Sequence, residues 1–193
     1  MRCTSDIFEE GSIFHIYNHA IDNFDLFYED EDYDFFLYKF STHQRKIPSS
    51  VFAYCLMPDH YHFLIKQDSK QKIYKIFNYA FISYAKYFNK KYNRKGPIFS
   101  SPLQHKIINN NIYLLQLSKY IHMNPVRKNL VDLPEQWEYS DYQNWINESE
   151  GKFLSLKARK NICANSKKYQ DFINSYSNFL NHYEFRNLTF RKF

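Results

Sequence analysis

The sequence predicts an α+β fold of the ferredoxin-like type, in which an antiparallel sheet carries helices on one of its faces. Three observations lead to this prediction. Segments with strand periodicity alternate with segments of helical periodicity, in the order strand, helix, hairpin, helix, strand. That order is typical of the ferredoxin-like sandwich. With 193 residues, of which 44% are hydrophobic, the chain is also long and apolar enough to bury one core.

Four elements are predicted in the first half of the chain. Acidic residues fill the first turn of the predicted helix, where the helix dipole favours them, and apolar residues recur along it at helical spacing. Pro58 and Asp59 form the turn of a hairpin whose two strands are rich in strand-forming residues. The elements are a strand over residues 12–18, a helix over 30–44 and two hairpin strands over 51–57 and 60–66.

The second half of the chain is predicted to add helices around one more strand. Ser69 and Asn111 are expected to cap two of these helices. The helix capped by Asn111 is expected to end at Asn124, because a residue before a proline disfavours the helical conformation. The first carries a stripe of aromatic residues that we assign to the core. The elements are a helix over residues 70–91, an irregular strand within 98–108, a helix over 111–123 and a last helix near 166–180.

The glycine and charge patterns narrow the range of functions. Only three glycines occur, scattered singly, which excludes a Gly-rich phosphate-binding loop of the Rossmann or P-loop type. Residues 69–131 contain twelve Lys or Arg but no Asp or Glu, and this indicates a polyanionic partner. Aromatic residues make up 20% of the chain, and many alternate with these basic residues, which is typical of single-stranded nucleic acid binding.

Cysteine usage and hydropathy indicate the compartment. The three cysteines form no CxxC pair, and we interpret them as thiols in a reducing environment. The first residues carry acids where a signal peptide needs an apolar segment. The longest purely apolar run, residues 51–57, is too short to span a membrane. These features predict a cytoplasmic protein with no membrane partner.

The segment His60-Tyr61-His62 is the most informative short motif. Alternate side chains of a strand share a face, so both imidazoles are expected to point one way while Tyr61 points to the core. Two histidines at this spacing can chelate one divalent ion. Two polar residues on a solvated sheet face are nevertheless the commoner explanation for such a pair taken alone.

A second motif lies some sixty residues later, on a predicted helix. Tyr120 and Asn124 are four residues apart and therefore share one helix face. The amide oxygen of Asn124 is a hard ligand that could complete a set with two histidines. A tyrosine beside a metal that polarises a phosphodiester is arranged as a nucleophile. Tyr113 lies on nearly the same face two turns earlier, so the spacing alone leaves the choice of tyrosine open.

The paired motifs MPDHYH and YIHMNPVRKNLV resemble those of the HUH single-strand transposases of the IS-element type, and they are nearest to the REP-associated tyrosine transposase branch. The resemblance covers about residues 14–142. It implies a metal-binding role for His60 and His62 and a catalytic role for Tyr120. Asn124 matches the position of a third polar ligand.

The resemblance also implies an activity. Members of this family have the ferredoxin-like fold, need Mg²⁺ or Mn²⁺, and cut single-stranded DNA near hairpins, leaving a 5′-phosphotyrosine and a free 3′-OH. The chain is thus expected to be a metal-dependent endonuclease and strand transferase, a monomer or homodimer that is cytoplasmic and nucleoid-associated. The basic residues expected to contact phosphate are Lys86, Lys90, Lys91, Arg94, Lys106, Arg127 and Lys128.

Two alternatives differ from this interpretation. The first is a catalytically inactive, domesticated module that binds single-stranded nucleic acid, which the intact histidine pair and tyrosine disfavour. The second is a replication or conjugation initiator with the same core, although such proteins usually have larger chains. We divide the chain into a transposase domain over residues 1–145 and a basic, mainly helical C-terminal extension over residues 146–193.

Overall fold

A four-stranded antiparallel sheet forms the centre of the computed structural model, which describes residues 7–21, 24–149, 159–160, 162–163 and 165–175. The strands are β1 (Ile13–His19), β2 (Ser49–Leu56), β3 (His60–Gln67) and β4 (Gln104–Ile108), in the spatial order β2-β3-β1-β4. The described helices are α1 (Asp30–Gln44), α2 (Tyr74–Lys91), α3 (Asn111–His122), α4 (Asn124–Arg127), α5 (Tyr142–Ile146) and α6 (Ser166–Asn174). This order of elements confirms the predicted ferredoxin-like α+β fold.

Helices α1 and α2 cover one face of the sheet. Their apolar stripes meet the side chains of β1 and β3 that point to this face, and the core between them is mostly aromatic. Tyr61 is fully buried in this core, as strand alternation predicts. The aromatic stripe of α2 is confirmed as core, with Tyr74 only partly buried at its start. The buried residues of the stripe are Phe77, Phe81, Tyr84 and Phe88.

Helix α3 packs on the opposite face, across β2 and β3. Leu117 and Ile121 of α3 contact a cluster that includes Ala53 of β2 and Leu64 of β3. The helix predicted to be catalytic therefore lies beside the strand that carries the two histidines, while the two helices before it cover the other face. The rest of the α3 face, over β1 and the start of β3, carries polar side chains.

The start of α2 differs from the prediction. The helix begins at Tyr74 rather than near residue 70, and Ser69 does not cap it. Gln67 explains the difference, because its side-chain oxygen accepts a hydrogen bond from the backbone N–H of Ile73 while its amide donates to the carbonyl of Phe8. These bonds hold the preceding segment outside the helix, and they join distant parts of the chain that a local pattern does not reveal.

The cap of α3 is also one residue from the predicted position. Asn110 caps the helix instead of Asn111, because its Oδ1 accepts from the backbone N–H groups of Ile112 and Tyr113 at 2.8 and 3.4 Å. The helix ends at about the predicted residue. Pro125 then stands in the first turn of the short helix α4, where its missing N–H leaves no intrahelical bond unmade.

The C-terminal part of the chain is described as far as residue 175. The helix predicted near residues 166–180 is present as α6, and its predicted last residues lie outside the described ranges. The proposed division after residue 145 falls within α5. Within the described ranges, no helix has the length and hydropathy of a membrane-spanning segment.

Asp32, in the first turn of α1, forms a buried polar contact with α2. Its carboxylate accepts hydrogen bonds from Oη of Tyr92 at 2.7 Å, from Nζ of Lys91 at 3.0 Å and from the backbone N–H of Tyr28 at 2.9 Å. Burial alone would raise the pKa of Asp32, but these hydrogen bonds outweigh it and hold the pKa below its ordinary value.

We expect Asp32→Asn to lower the free energy of unfolding by about 1–3 kcal/mol near neutral pH, because the donors around this side chain lose a charged acceptor. Folding lowers the pKa of this carboxyl, so its charged form stabilises the protein at pH values above the unfolded pKa of about 4. The stabilisation is lost as the pH falls through the lower pKa of the folded state. Urea unfolding near neutral pH and at about pH 3 gives the free energy of unfolding of wild type and variant at each pH. If the variant lost the same free energy of unfolding at both pH values, the stabilising role of the ionised Asp32 carboxylate would be contradicted.

Candidate active site

The sheet face toward α3 carries four histidines. His15 and His19 of β1 share it with His60 and His62 of β3, because alternate residues of a strand point the same way. In the β1–β3 ladder His19 lies opposite His60, and Tyr17 lies opposite His62. All of these histidines except His19 are buried. The predicted orientation of the His60 and His62 pair toward one face is confirmed.

His60 lies between an acid and an amide. Its Nδ1 is 2.5 Å from Oδ1 of Asp59, a contact that orients the ring, and its Nε2 is 3.5 Å from Nδ2 of Asn124. Rotation of the Asn124 side-chain amide by about 180° exchanges its nitrogen and oxygen, which brings the oxygen to the side of His60. Adjacent ligands of an octahedral ion stand about 3 Å apart when each lies about 2.1 Å from it. The imidazole and the amide therefore have a spacing suitable for one shared cation.

His62 lies between His15 and the tyrosine of α3. Its Nδ1 is 3.0 Å from Nε2 of His15, and its ring stands edge-on to Tyr120 with 5.5 Å between the ring centroids. Burial lowers the pKa of His62 well below its ordinary value and that of His15 to about 3. Both rings are therefore neutral, which is the form in which imidazole binds a metal. With Nδ1 engaged by His15, ligation by His62 would use Nε2.

Tyr120 and Asn124 approach the histidines from the helical side of the site. They lie one turn apart and are only 6% and 3% exposed. Because α3 packs across β2 and β3, the ring of Tyr120 contacts His62 while the amide of Asn124 approaches His60. Four residues from two distant segments, predicted to act together, thus meet at one place.

Arg127, at the end of α4, completes this side of the site. Its guanidinium carbon is 5.0 Å from the centroid of the Tyr120 ring, a distance at which a cation is attracted to the ring face. Its Nη1 is buried and has no hydrogen-bond partner among the described residues. A buried N–H without a partner is costly, so this donor is suited to an oxygen of a bound anion.

Two further basic residues border the site. Lys106 lies opposite His15 in the β1–β4 ladder, and its Nζ is 3.1 Å from Oη of Tyr113. Lys128 directly follows α4 and is exposed. Together with Arg127, these residues are three of the seven expected phosphate contacts, and they surround the histidines and the tyrosine from two sides.

The other four expected contacts lie on or just after α2, which covers the opposite face of the sheet. Lys86 and Lys90 are exposed to solvent. Lys91 contacts three carboxylates at the start of α1, the farthest at 3.0 Å, so its charge is balanced within the fold. The guanidinium of Arg94 packs over the ring of Phe24 at 4.1 Å. The structure does not bring these four residues to the site.

Asp59 and His15, which contact the ring nitrogens of His60 and His62, were not anticipated from the sequence. Asp59 directly precedes His60, and an acid next to a potential metal ligand is a signal that could have identified it. His15 contacts His62 only through the register of β1 on β3, across 47 positions of the chain. No local pattern contains that register.

The donor set fits a small divalent cation. The described part of the chain holds no group of three or more His, Cys, Asp or Glu side chains arranged for a metal. The converging donors here are instead the imidazoles of His60 and His62 and the amide of Asn124. Two imidazoles and an amide oxygen are donors that a divalent cation accepts, and so few protein ligands leave positions for water and phosphate.

Comparisons with known proteins identify a family and a shared fold. A family model described as "Transposase IS200 like" matches residues 12–124, a range that contains the four predicted catalytic and metal-binding residues. A solved structure of a REP-associated tyrosine transposase bound to a REP hairpin matches with a TM-score of 0.58 and 16% identity, over 77% of this chain and 87% of that one. At this identity the likeness shows the shared fold. No curated protein sequence matches the chain.

Proposed function

Because the chain belongs to the IS200-like transposase family, we propose that it is a metal-dependent endonuclease and strand transferase that acts on single-stranded DNA near hairpins. One observation carries the proposal. A buried tyrosine on α3, Tyr120, meets the imidazole of His62 while Asn124, one turn later, meets His60. A phenol, two imidazoles and an amide thus converge from separate elements, an arrangement that a module which only binds DNA does not need.

The residues of the site have distinct roles in the proposed reaction. Oη of Tyr120 attacks the scissile phosphorus, the bond from phosphorus to the 3′ oxygen breaks, and that oxygen leaves as a 3′-OH while the 5′ phosphate joins the tyrosine. Mg²⁺ or Mn²⁺ held by His60, His62 and Asn124 would neutralise charge on the phosphate. Asp59 and His15 orient the two imidazoles.

The phosphotyrosine bond retains the energy of the phosphodiester that it replaces. A 3′-OH can therefore attack it and restore a DNA strand without a nucleotide cofactor. Arg127 is placed to support both steps, because its buried Nη1 can donate to an oxygen of the scissile phosphate while its guanidinium keeps contact with the ring of Tyr120.

A hairpin substrate is supported by the likeness of fold to the transposase solved with a REP hairpin. In this proposal the single strand beside the hairpin lies along the α3 face, where Lys106, Arg127 and Lys128 neutralise its phosphates. Lys106 is exposed and close to Tyr113, so a phosphate and an adjacent base could contact the pair together.

We expect Lys106→Gln to weaken hairpin binding by about three- to ten-fold and to reduce the salt dependence by about one counterion, because one phosphate contact is lost. Lys86→Gln is the matched control, since Lys86 is also exposed but lies on α2, which covers the opposite face of the sheet. Fluorescence anisotropy over a salt series measures the hairpin affinity and its salt dependence. An equal loss of hairpin affinity in Lys106→Gln and Lys86→Gln would contradict the proposed DNA path.

A denaturing gel tests the proposed function. Purified protein, Mn²⁺ and labelled single-stranded hairpin oligonucleotides from the flanks of its own gene should give a covalent protein–DNA adduct that EDTA abolishes. A salt-sensitive shift on a native gel with no adduct for any of these hairpins would instead favour a module that only binds nucleic acid.

A further inference from the structure

The helix α6 lies beyond the family match, which ends at residue 124, yet it contacts the helix that carries Tyr120. It packs with α5 through a small buried cluster that contains Tyr142, Trp145, Tyr169 and Ile173. The described part of the C-terminal extension is thus attached to the domain next to the site.

A chain of buried hydrogen bonds makes this attachment specific. His122, the last residue of α3, is fully buried, with Nδ1 2.6 Å from Oη of Tyr169 and Nε2 3.0 Å from Oδ1 of Asp141. Asp141 also accepts from the backbone N–H of Tyr54 at 2.5 Å and from Nε1 of Trp145 at 3.0 Å. Because a carboxylate only accepts, Nε2 of His122 donates to Asp141, while Nδ1 is hydrogen-bonded to the hydroxyl of Tyr169.

A second polar contact joins the same two helices. Nζ of Lys119 donates to the backbone carbonyl of Phe172 in α6 and lies 4.1 Å from the centroid of its ring. Lys119 is only 4% exposed, and burial lowers its pKa to about 8. Lys119 and His122 stand on either side of Tyr120 in the sequence, so α6 holds the segment of α3 that contains the proposed nucleophile.

We propose that α6 is a positioning element of the active site, which through Tyr169 and Lys119 holds the end of α3 at the distance from the histidine strand that the reaction requires. This inference rests on the proposed function. Asp141 explains how the effect reaches the sheet, because it joins His122 to the backbone of β2, and β2 pairs with the histidine strand β3. Reacting groups misplaced by about 1 Å can lose about a hundred-fold in rate.

The test compares two variants of α6 contacts with a control of similar stability. Tyr169→Phe removes one hydroxyl, and Lys119→Met removes the other contact while keeping a side chain of similar length. Phe77→Leu disturbs the core on the opposite face of the sheet. For each, single-turnover adduct formation, hairpin affinity and the fraction folded in urea are measured on the full chain.

We expect Tyr169→Phe and Lys119→Met to slow adduct formation by about ten-fold or more per folded molecule, with hairpin affinity within about two-fold of wild type. Phe77→Leu should leave the rate unchanged at a similar loss of stability. If Tyr169→Phe does not fold, Lys119→Met decides alone. The inference would be overturned if the folded α6 variants formed the adduct at the wild-type rate, or if Phe77→Leu slowed adduct formation as much as they do. In both cases the adduct formed by wild type would still support the proposed function. No adduct from wild type would overturn both.

Discussion

Replacing Tyr120 by phenylalanine is expected to abolish the covalent adduct with a hairpin oligonucleotide, a loss of at least about a thousand-fold in rate. The variant lacks only the hydroxyl that would form the bond to phosphorus. Its ring can keep the contacts of Tyr120 with His62 and Arg127, so folding and hairpin affinity should change little. Denaturing gels give the adduct and anisotropy gives the affinity.

Tyr113→Phe is the matched control for this experiment. Tyr113 lies two turns earlier on the same helix, and its hydroxyl contacts Lys106 rather than the histidines. The variant should still form the adduct. Adduct formation by Tyr120→Phe at the wild-type rate, or its loss in Tyr113→Phe alone, would show that another tyrosine is the nucleophile.

The second large effect concerns the metal donors. His60→Ala should reduce adduct formation by at least about a hundred-fold, because it removes one of three proposed ligands and the charge neutralisation that the ion supplies. Asp59→Asn should have a smaller effect, about ten- to a hundred-fold in Mn²⁺ affinity, since Asp59 orients the His60 ring without binding the ion. Excess Mn²⁺ is expected to restore the second variant and not the first.

His105→Ala serves as the control for loss of a histidine. His105 is on β4, but its ring packs against Phe8 on the α1 and α2 side of the sheet. Titrations of Mn²⁺ against the rate of adduct formation distinguish the three variants. The ligand assignment would be wrong if His60→Ala kept the wild-type dependence on Mn²⁺, or if His105→Ala lost it.

The order of the elements could be predicted because local periodicity determines it. The helix over residues 30–44 has its predicted bounds, since its acidic first turn and apolar spacing are both local signals. The common face of His60 and His62 follows from strand alternation alone. Tyr120 could be distinguished from Tyr113 only by resemblance to a family, because both lie on nearly one helix face.

Contacts between distant segments could not be predicted in the same way. Gln67 delays the start of α2 through a bond to Phe8, and His15 meets His62 only through strand register. The charge of Lys91 appeared available for DNA in the sequence, yet acidic residues some sixty positions earlier surround it. Each of these features depends on how the chain folds back on itself, which the spacing of neighbouring residues does not specify.

Mapping the adduct tests the central claim most directly. Wild-type protein would be incubated with Mn²⁺ and hairpin oligonucleotides from the flanks of its gene, the DNA trimmed with nuclease, and the protease-digested protein sequenced by mass spectrometry. The account predicts a nucleotide joined through its 5′ phosphate to Tyr120 and to no other residue. A nucleotide on a different side chain, or no adduct with any of the hairpins, would contradict it.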